Sequence, residues 1–495
     1  MENKNPSNKP AIIREIKDNA PFSNYQIYSY ITTVLSLLVM GLEFNLYSNF
    51  NIPLKSKLTL SNLESQLFQS LIYLGFSFGS ITGGTMSTER TTILKYAPIF
   101  VLFFHILMYF LLTEIPMIIF RILIGLSLGS YVPIAITIFA EYRNTYFRGF
   151  NLIFIWFFYI LSSFIESLLC FIIMPNYEEK RLGVLILLLI IFIFPSVIFH
   201  FNYSYDSPRH LIFLGENHEG FEIIKSINKR TTISEDEKHQ ITNDIFNNIA
   251  NKNVENKLRY LLSQNNERTT IILIYLLFTI SFSFIGLQNL IPLTKQIIYG
   301  QLPDTNKKIV ISQLMINCIC CIGIIPFSFI AEINKLGRKG LMIICFIGTC
   351  LFSCFSIFDN LLYNVMIGCC LSFSLTSFAV TFAFIIEFYC MRLRDLALGF
   401  LIMLFMFFCI ISNVILYFLH NKNYKIPYYV ISICSLIAAF LSYILPFDTG
   451  NNPLDLLYMI HYQQFSESKS NSNATEEENE DESNPISGSK DDNDI

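Results

Sequence analysis

The sequence predicts an all-α membrane protein with twelve transmembrane helices in two pseudo-symmetric six-helix bundles. Of its 495 residues, 53% are hydrophobic and 15% are charged, whereas an average soluble domain has roughly 25% charged residues. The apolar residues form long runs separated by short polar breaks, as a chain surrounded by lipid requires. A motif of the first half also recurs in the second half, which is typical of an internal repeat.

Twelve apolar segments are long enough to cross a hydrocarbon layer of about 30 Å. The predicted spans are 27–50, 65–86, 94–113, 115–140, 149–174, 183–203, 269–292, 308–331, 340–358, 360–387, 396–419 and 427–446.

The spans divide the chain into two bundles, 27–203 and 269–446, joined by a polar central loop, 204–268. The N-terminal segment, 1–26, lacks the apolar core of a signal peptide, so the first span is expected to remain as a helix. The tail, 447–495, is rich in Ser, Asn, Asp and Glu from about residue 466 and is expected to be disordered there.

The basic residues predict the orientation. With the N-terminus in the cytoplasm, cytoplasmic segments carry 24 of the 34 Lys and Arg, and external loops carry 9. This excess follows the positive-inside rule and places both termini and the central loop in the cytoplasm. The membrane itself, plasma membrane or internal vesicle, is left open.

The fourth predicted span carries small and charged residues at intervals of four, which places them on one helix face. Glycines there allow a neighbouring helix to approach closely. An arginine inside an apolar span needs a partner or an aqueous cavity. The run is Arg121, Gly125, Gly129 and Pro133, followed by Glu141, Arg148 and Gly149.

Related motifs occur later in the chain. Glu387, Arg394 and Gly399 repeat the end of the first-half run, although Cys390 stands where Pro is usual. The other motif residues are Pro208 and Arg209 after the sixth span, and Gly337, Arg338 and Lys339 after the eighth, where Asn334 replaces an Asp.

Together these motifs resemble the sugar-porter and organic-ion branch of the major facilitator superfamily. The first span and the loop after it, with Gly41-Leu-Glu43 and Leu60-Ser-Asn-Leu-Glu64, are similar to the synaptic-vesicle-protein-related subgroup. The resemblance implies a secondary transporter in which two bundles rock about a central site, with the motif residues serving gating or structure. One departure is the loop after the second span, where Thr88 replaces an Asp and a Gly-Arg-Arg triplet is missing, so the first-half gate is expected to be degenerate.

Two carboxylates lie at membrane depth, which makes them candidates for function. Glu43 and Glu166 are interpreted either as acids lining a cavity, where they bind a cation or cycle protons, or as protonated groups that serve packing. An isolated buried carboxyl would have a raised pKa. His105 is interpreted as a packing residue.

Four amides are candidate ligands for a polar solute, because they offer both donors and acceptors. They are Gln288 and Asn289 in the seventh span and Gln313 and Asn317 in the eighth. The alternative is that they join helices to one another.

The predicted function is non-ATP-driven transport of a small organic solute, with proton coupling open. Two acids and no evident lysine within a span favour an organic cation or a neutral polar solute over an anion. No cofactor, metal, nucleic-acid partner or enzymatic activity is expected, and the protein is expected to be a monomer in the lipid bilayer. The alternative is a transporter-like receptor or vesicle protein that no longer transports.

Overall fold

The computed structural model describes the chain in helices and the loops that join them. The described residues are 23–111, 113–144, 147–174, 181–229, 233–249, 261, 267–300, 305–333, 336–356, 362–450 and 454. Asn334 and the tail segment predicted to be disordered lie outside these residues, as do residues 1–22 of the N-terminal segment.

Six spans form the first half of the membrane region. The fifth span is made of two helices, α5 and α6, which meet at Ile155. The helices are α1 (Asn24–Lys57), α2 (Asn62–Thr85), α3 (Arg90–Phe110), α4 (Glu114–Glu141), α5 (Arg148–Phe154), α6 (Trp156–Ile173) and α7 (Leu182–Tyr203).

Three short helices follow in the described part of the linker, and six spans then form the second half. The seventh span contains a π-helical segment, Ser281–Gly286, between two α-helices. The linker helices are α8 (Pro208–Phe213), α9 (Asn217–Asn228) and α10 (Glu235–Ile249). The second-half helices are α11 (Glu267–Ile280), α12 (Leu287–Tyr299), α13 (Thr305–Ile330), α14 (Gly337–Phe355), α15 (Tyr363–Phe388), α16 (Met391–Lys422) and α17 (Ile426–Ile444).

The prediction of twelve spans in an all-α fold is confirmed. Eleven spans of the described chain are long and apolar enough to cross a membrane by themselves. The twelfth is α2, which is too polar on average because Gly, Ser, Thr and Gln make up much of it. It lies between other helices instead of facing lipid over its length, packing on α4 in its own half and on α16 in the other half.

The two halves meet along two seams. The first seam is formed by α2 and α16, and the second by α5 and α6 against α13. We call the end of the bundle that carries the linker helices the linker face, and the opposite end the far face. Each membrane span runs from one face to the other, so the position of a residue along its span gives its distance from the two faces.

Glycines set the distance between α2 and α4, as the period of four predicts. A Cβ added to Gly125 would lie 2.2 Å from the carbonyl oxygen of Ile72, and one added to Gly129 would lie 2.2 Å from that of Phe76. These contacts involve backbone, which cannot rotate away. The two helices can therefore keep their separation only with glycine at these positions.

Replacing Gly129 by Ala is expected to destabilise the protein by about 1–3 kcal/mol, because overpacking must push α2 away from α4. The measurement is thermal unfolding of the purified protein in detergent. Gly340→Ala is the control, since a Cβ there meets only the flexible side chain of Leu336 at 3.2 Å, and alanine favours a helix over glycine. Equal stability of the Gly129 variant and the wild type would show that α2 and α4 are not held in this contact.

Candidate functional site

A central cavity lies between the two halves. It is nearly closed in this structure, with about 20 Å³ of free space, which is room for about one water molecule. Both halves contribute, including the π-helical segment, a distortion that is frequent at functional sites. The lining residues are Met40, Phe44, Phe76, Val132, Pro133, Ile136, Trp156, Tyr159, Phe284, Ile285, Phe378, Phe382, Ile402, Phe405 and Met406.

The lining differs from the sequence-based expectation of an acidic, polar site. Aromatic and aliphatic side chains dominate it, and Trp156 and Tyr159 supply its main polar groups. Of the predicted site residues, Pro133 alone lines this cavity. The predicted acids and amides do not line the cavity. They lie on helix faces that turn toward neighbouring helices, either inside one half or nearer the far face.

Glu43 is buried inside the first half, behind the cavity wall. Its Oε1 lies 2.5 Å from Nδ1 of His105 on α3, and its Oε2 lies 3.6 Å from Nη1 of Arg121 on α4. Arg121 also donates to the backbone oxygen of Glu43 at 2.9 Å. Glu43 is therefore the partner that Arg121 was expected to need, and Glu43 is not isolated. His105 is buried and hydrogen-bonded to Glu43 and to the backbone oxygen of Ile186, which agrees with its interpretation as a packing residue.

Glu166 and Asn317 lie at the second seam. Glu166 is fully buried in α6. Ser163 and Ser167, which lie on either side of it in the sequence, contact Asn317 of α13. The Nδ2 of Asn317 donates to the backbone oxygen of Ser163 at 3.2 Å and to Oγ of Ser167 at 2.6 Å. The seam thus joins the halves through polar groups at this depth.

The seventh-span amides join the halves on the far-face side of the cavity. Gln288 donates to Oδ1 of Asn45 on α1. Asn289 accepts a hydrogen bond from Gln69 of α2 and donates to Oδ1 of Asn413 on α16 at 3.0 Å. These contacts agree with the interhelical alternative for Gln288 and Asn289.

On the linker face, three buried ion pairs between described residues cross between the halves. Nη1 of Arg394 lies 2.8 Å from Oε1 of Glu141, and Nε of Arg148 lies 2.9 Å from Oε1 of Glu387. Each pair joins the end of one half's helix to the start of a helix in the other half, so the two are related by the pseudo-symmetry. In the third pair, Nη2 of Arg90 lies 2.6 Å from Oδ2 of Asp395.

The cross-half pairing bears on two sequence-based expectations. The sequence places Glu141 near Arg148 and Glu387 near Arg394, with a gating role favoured over a solvated charge pair. In the structure each glutamate pairs with the arginine of the other half, and Glu141 and Glu387 are each 3% exposed, so neither forms a solvated pair. The first-half gate is also not degenerate, since Arg90 additionally contacts Glu141 at 3.1 Å and Asp206 at 3.3 Å. Asp395 supplies a carboxylate from the other half where Thr88 offers none.

The remaining motif residues hold this ion-pair network in place. Arg338 donates to Glu387 at 3.1 Å, and its guanidinium occupies the space that a Cβ on Gly149 would fill. Gly337 has φ +57°, a conformation that favours glycine. The backbone nitrogens of Arg338 and Lys339 donate to Oδ1 of Asp448 at 2.8 and 3.3 Å.

The segment after the sixth span docks on the same network. Pro208 occupies the first turn of α8 after Ser207, which caps the helix. The hydroxyl of Ser207 also donates to Oε2 of Glu141 at 2.5 Å. Arg209 is half-buried beside it in α8. The motif around Pro208 therefore links the linker to the end of α4.

Sequence reasoning missed one further buried charge. The seventh span was predicted to end at residue 292, but α12 continues to Tyr299, and it buries Lys295 completely. The ammonium donates to Oε1 of Gln313 on α13 at 3.0 Å. The only signal in the sequence is that Lys295 follows the apolar run within one helical turn.

Two membrane bundles around a cavity, joined by polar contacts at both ends, define a multi-pass transporter. The chain belongs to the sugar (and other) transporter family, whose profile matches residues 26–459. It is therefore a secondary transporter of small organic solutes and not an enzyme.

Individual relatives are distant. The chain is 22% identical to the synaptic vesicle 2-related protein of Rattus norvegicus over 471 residues, which is 91% of this chain and 83% of that protein. It is 22% identical to the niacin transporter NiaP of Acinetobacter baylyi over 401 residues, covering 77% of this chain and 84% of the relative. These matches place it among major facilitator transporters near the synaptic-vesicle-2-related proteins.

Among solved structures, the proton:xylose symporter XylE bound to 6-bromo-6-deoxy-D-glucose has the same fold. The TM-score is 0.73 at 15% identity, and the match covers 88% of this chain and 99% of XylE. The likeness confirms two six-helix bundles of the major facilitator type.

Proposed function

We propose that the protein moves its solute through the central cavity by alternating access, with one gate at each face. The observation that carries this proposal is the order of contacts along α16. Arg394 pairs across the halves at the linker face, Met406 lines the cavity, and Asn413 contacts the first half on the far-face side. A cavity with cross-half contacts both above and below it suits a rocking mechanism.

The lining of the cavity supports a solute with an apolar or aromatic part. Rings such as those of Phe284, Phe378 and Phe405 favour stacking and edge-to-face contacts with another ring. A fully hydroxylated solute would find few hydrogen-bond partners there, and unpaired polar groups in a buried site are costly. The solute is thus proposed to be amphipathic.

Glu43 and His105 support a proposal of proton coupling. Both are buried beside Arg121, and both can exchange a proton. Proton binding to Glu43 or His105 beside Arg121 would change the net charge buried between α1, α3 and α4. The solute would occupy the adjacent cavity at the same time.

The orientation proposed with this mechanism puts the linker face in the cytoplasm, and the proposed assembly is a monomer.

Trp156 provides a direct test, because it is the single tryptophan of the chain and lines the cavity. Solutes that are taken up into proteoliposomes are expected to change the fluorescence of Trp156 in the purified protein, with half-saturation near the concentration that half-saturates uptake. Trp156→Phe should remove the signal, which would show that the fluorescence change comes from the cavity.

A transported solute that leaves Trp156 fluorescence unchanged would contradict the proposed route through the cavity. Absence of uptake for every cation, neutral solute and carboxylate tested would favour the alternative of a receptor or vesicle protein that does not transport.

A further inference from the structure

Lys295 carries a buried amino group that has no anion beside it in the described part of the chain. It lies in α12 with 0% of its surface exposed, and among the described residues its amino group donates to the neutral amide of Gln313. In the described part of the chain no carboxylate comes within ion-pair distance of its ammonium group. An ammonium group removed from water without a compensating negative charge is costly, so the position favours a negatively charged ligand.

The amide of Gln313 adds a second unused donor. Its oxygen accepts from Lys295, and its Nε2 is buried with no acceptor among the described residues. An ammonium and an amide N–H side by side are suited to the two oxygens of a carboxylate. One turn along α13, Oδ1 of Asn317 is also buried, with no donor in the part of the chain that the structure describes.

These groups form a column that connects the far-face side with the cavity. Asn317 contacts Ser163 and Ser167 of α6, and Ser163 lies one helical turn from Tyr159, which lines the cavity. Gln313 is one turn farther toward the far face, next to Lys295. The column follows the second seam, which must separate when the far face opens.

We propose that Lys295 and Gln313 bind the carboxylate of the transported solute, which is therefore an organic monocarboxylate with an apolar body. The inference rests on the proposed function, and it reverses the sequence-based preference for an organic cation or a neutral polar solute over an anion, which was drawn without Lys295. The carboxylate binds first between α12 and α13, and the solute then moves along the column to the aromatic cavity, which receives its apolar body.

The test compares carboxylates with their neutral amides in binding to the purified full-length protein. The probes are benzoate with benzamide and butyrate with butyramide, and the readout is the concentration that gives half-maximal thermal stabilisation in detergent. The wild type is expected to require at least roughly tenfold less of one carboxylate than of its amide, as a charge-assisted hydrogen bond implies. Lys295→Met should abolish this preference.

Two further variants complete the design. Lys307→Met removes a lysine that is exposed at the start of α13, and it should leave the preference unchanged. Gln313→Leu keeps the ammonium and removes the second donor, so the preference should fall by roughly threefold or more. If Lys295→Met does not fold, the wild type and Gln313→Leu decide the question.

The proposal is overturned if the wild type does not distinguish either carboxylate from its amide, or if the preference survives in Lys295→Met. Stabilisation by chloride alone would also overturn it, since the site would then hold a structural ion. Because binding is measured without transport, carboxylate preference without uptake would support this site and contradict the proposed function. Uptake of neutral solutes without carboxylate preference would support the proposed function and contradict the carboxylate site.

Discussion

Glu141→Gln is expected to reduce the uptake rate at least roughly tenfold while the affinity for solute stays near the wild-type value. Removing one partner of a buried ion pair costs about 3–5 kcal/mol, and here it leaves two cations, Arg90 and Arg394, without their shared carboxylate. The loss weakens the cross-half contacts at the linker face only. The cycle is then biased toward the state open at that face, and turnover slows.

Proteoliposome uptake measures the rate, and hydrogen exchange at the start of α16 measures opening of the linker face. Glu387→Gln, the pseudo-symmetric change at the pair with Arg148, should behave alike. The control is Glu222→Gln, whose exposed pair with Lys225 in the linker is of a kind worth about 0–1 kcal/mol. A large loss of affinity with unchanged hydrogen exchange would exclude a gating role for these glutamates.

Glu43→Gln is expected to abolish accumulation of solute driven by a pH gradient, while exchange of labelled for unlabelled solute continues. The amide keeps the shape of the carboxyl group but cannot bind and release a proton. His105→Gln should likewise abolish pH-driven accumulation and retain exchange, because Nδ1 of His105 lies 2.5 Å from Oε1 of Glu43. Glu114→Gln, an exposed change at the start of α4, is the matched control.

The measurement is uptake with and without an imposed pH gradient, at equal solute concentration. A loss of affinity at every pH would mean that Glu43 binds the solute itself. A wild-type pH response in Glu43→Gln would remove Glu43 from coupling and leave Glu166 as the next candidate.

Much of the fold could be predicted from the sequence, because lipid imposes one requirement on every span. The hydrophobic runs locate the helices, and the glycines at intervals of four identify the closely packed face of α4. The end of α12 was predicted too early because Pro292 and Lys295 interrupt the apolar run. Packing against α13 allows the helix to continue there.

The site was harder to predict, because its contacts join residues far apart in the sequence. The motifs identified Glu141 and Arg394 as important, but a linear pattern cannot tell that they pair with each other rather than within their own halves. Arg90 lies two positions after Thr88, in the loop whose motif is incomplete, and its partner Asp395 lies 305 positions later, so nothing in the sequence indicates this ion pair. Whether Glu43 faces the cavity or the interior of its own half likewise depends on the rotation of α1 about its axis, which the sequence pattern does not determine.

The polarity of α2 has a consequence for the biogenesis of the protein. A helix so rich in Gly, Ser, Thr and Gln gains little free energy by leaving the translocation channel for lipid on its own. Its stable location is between α4 and α16, and α16 is made only after most of the chain has been synthesised. We infer that α2 is first retained in the bilayer by α1 and α4, and that its second surface stays uncovered until the C-terminal half arrives.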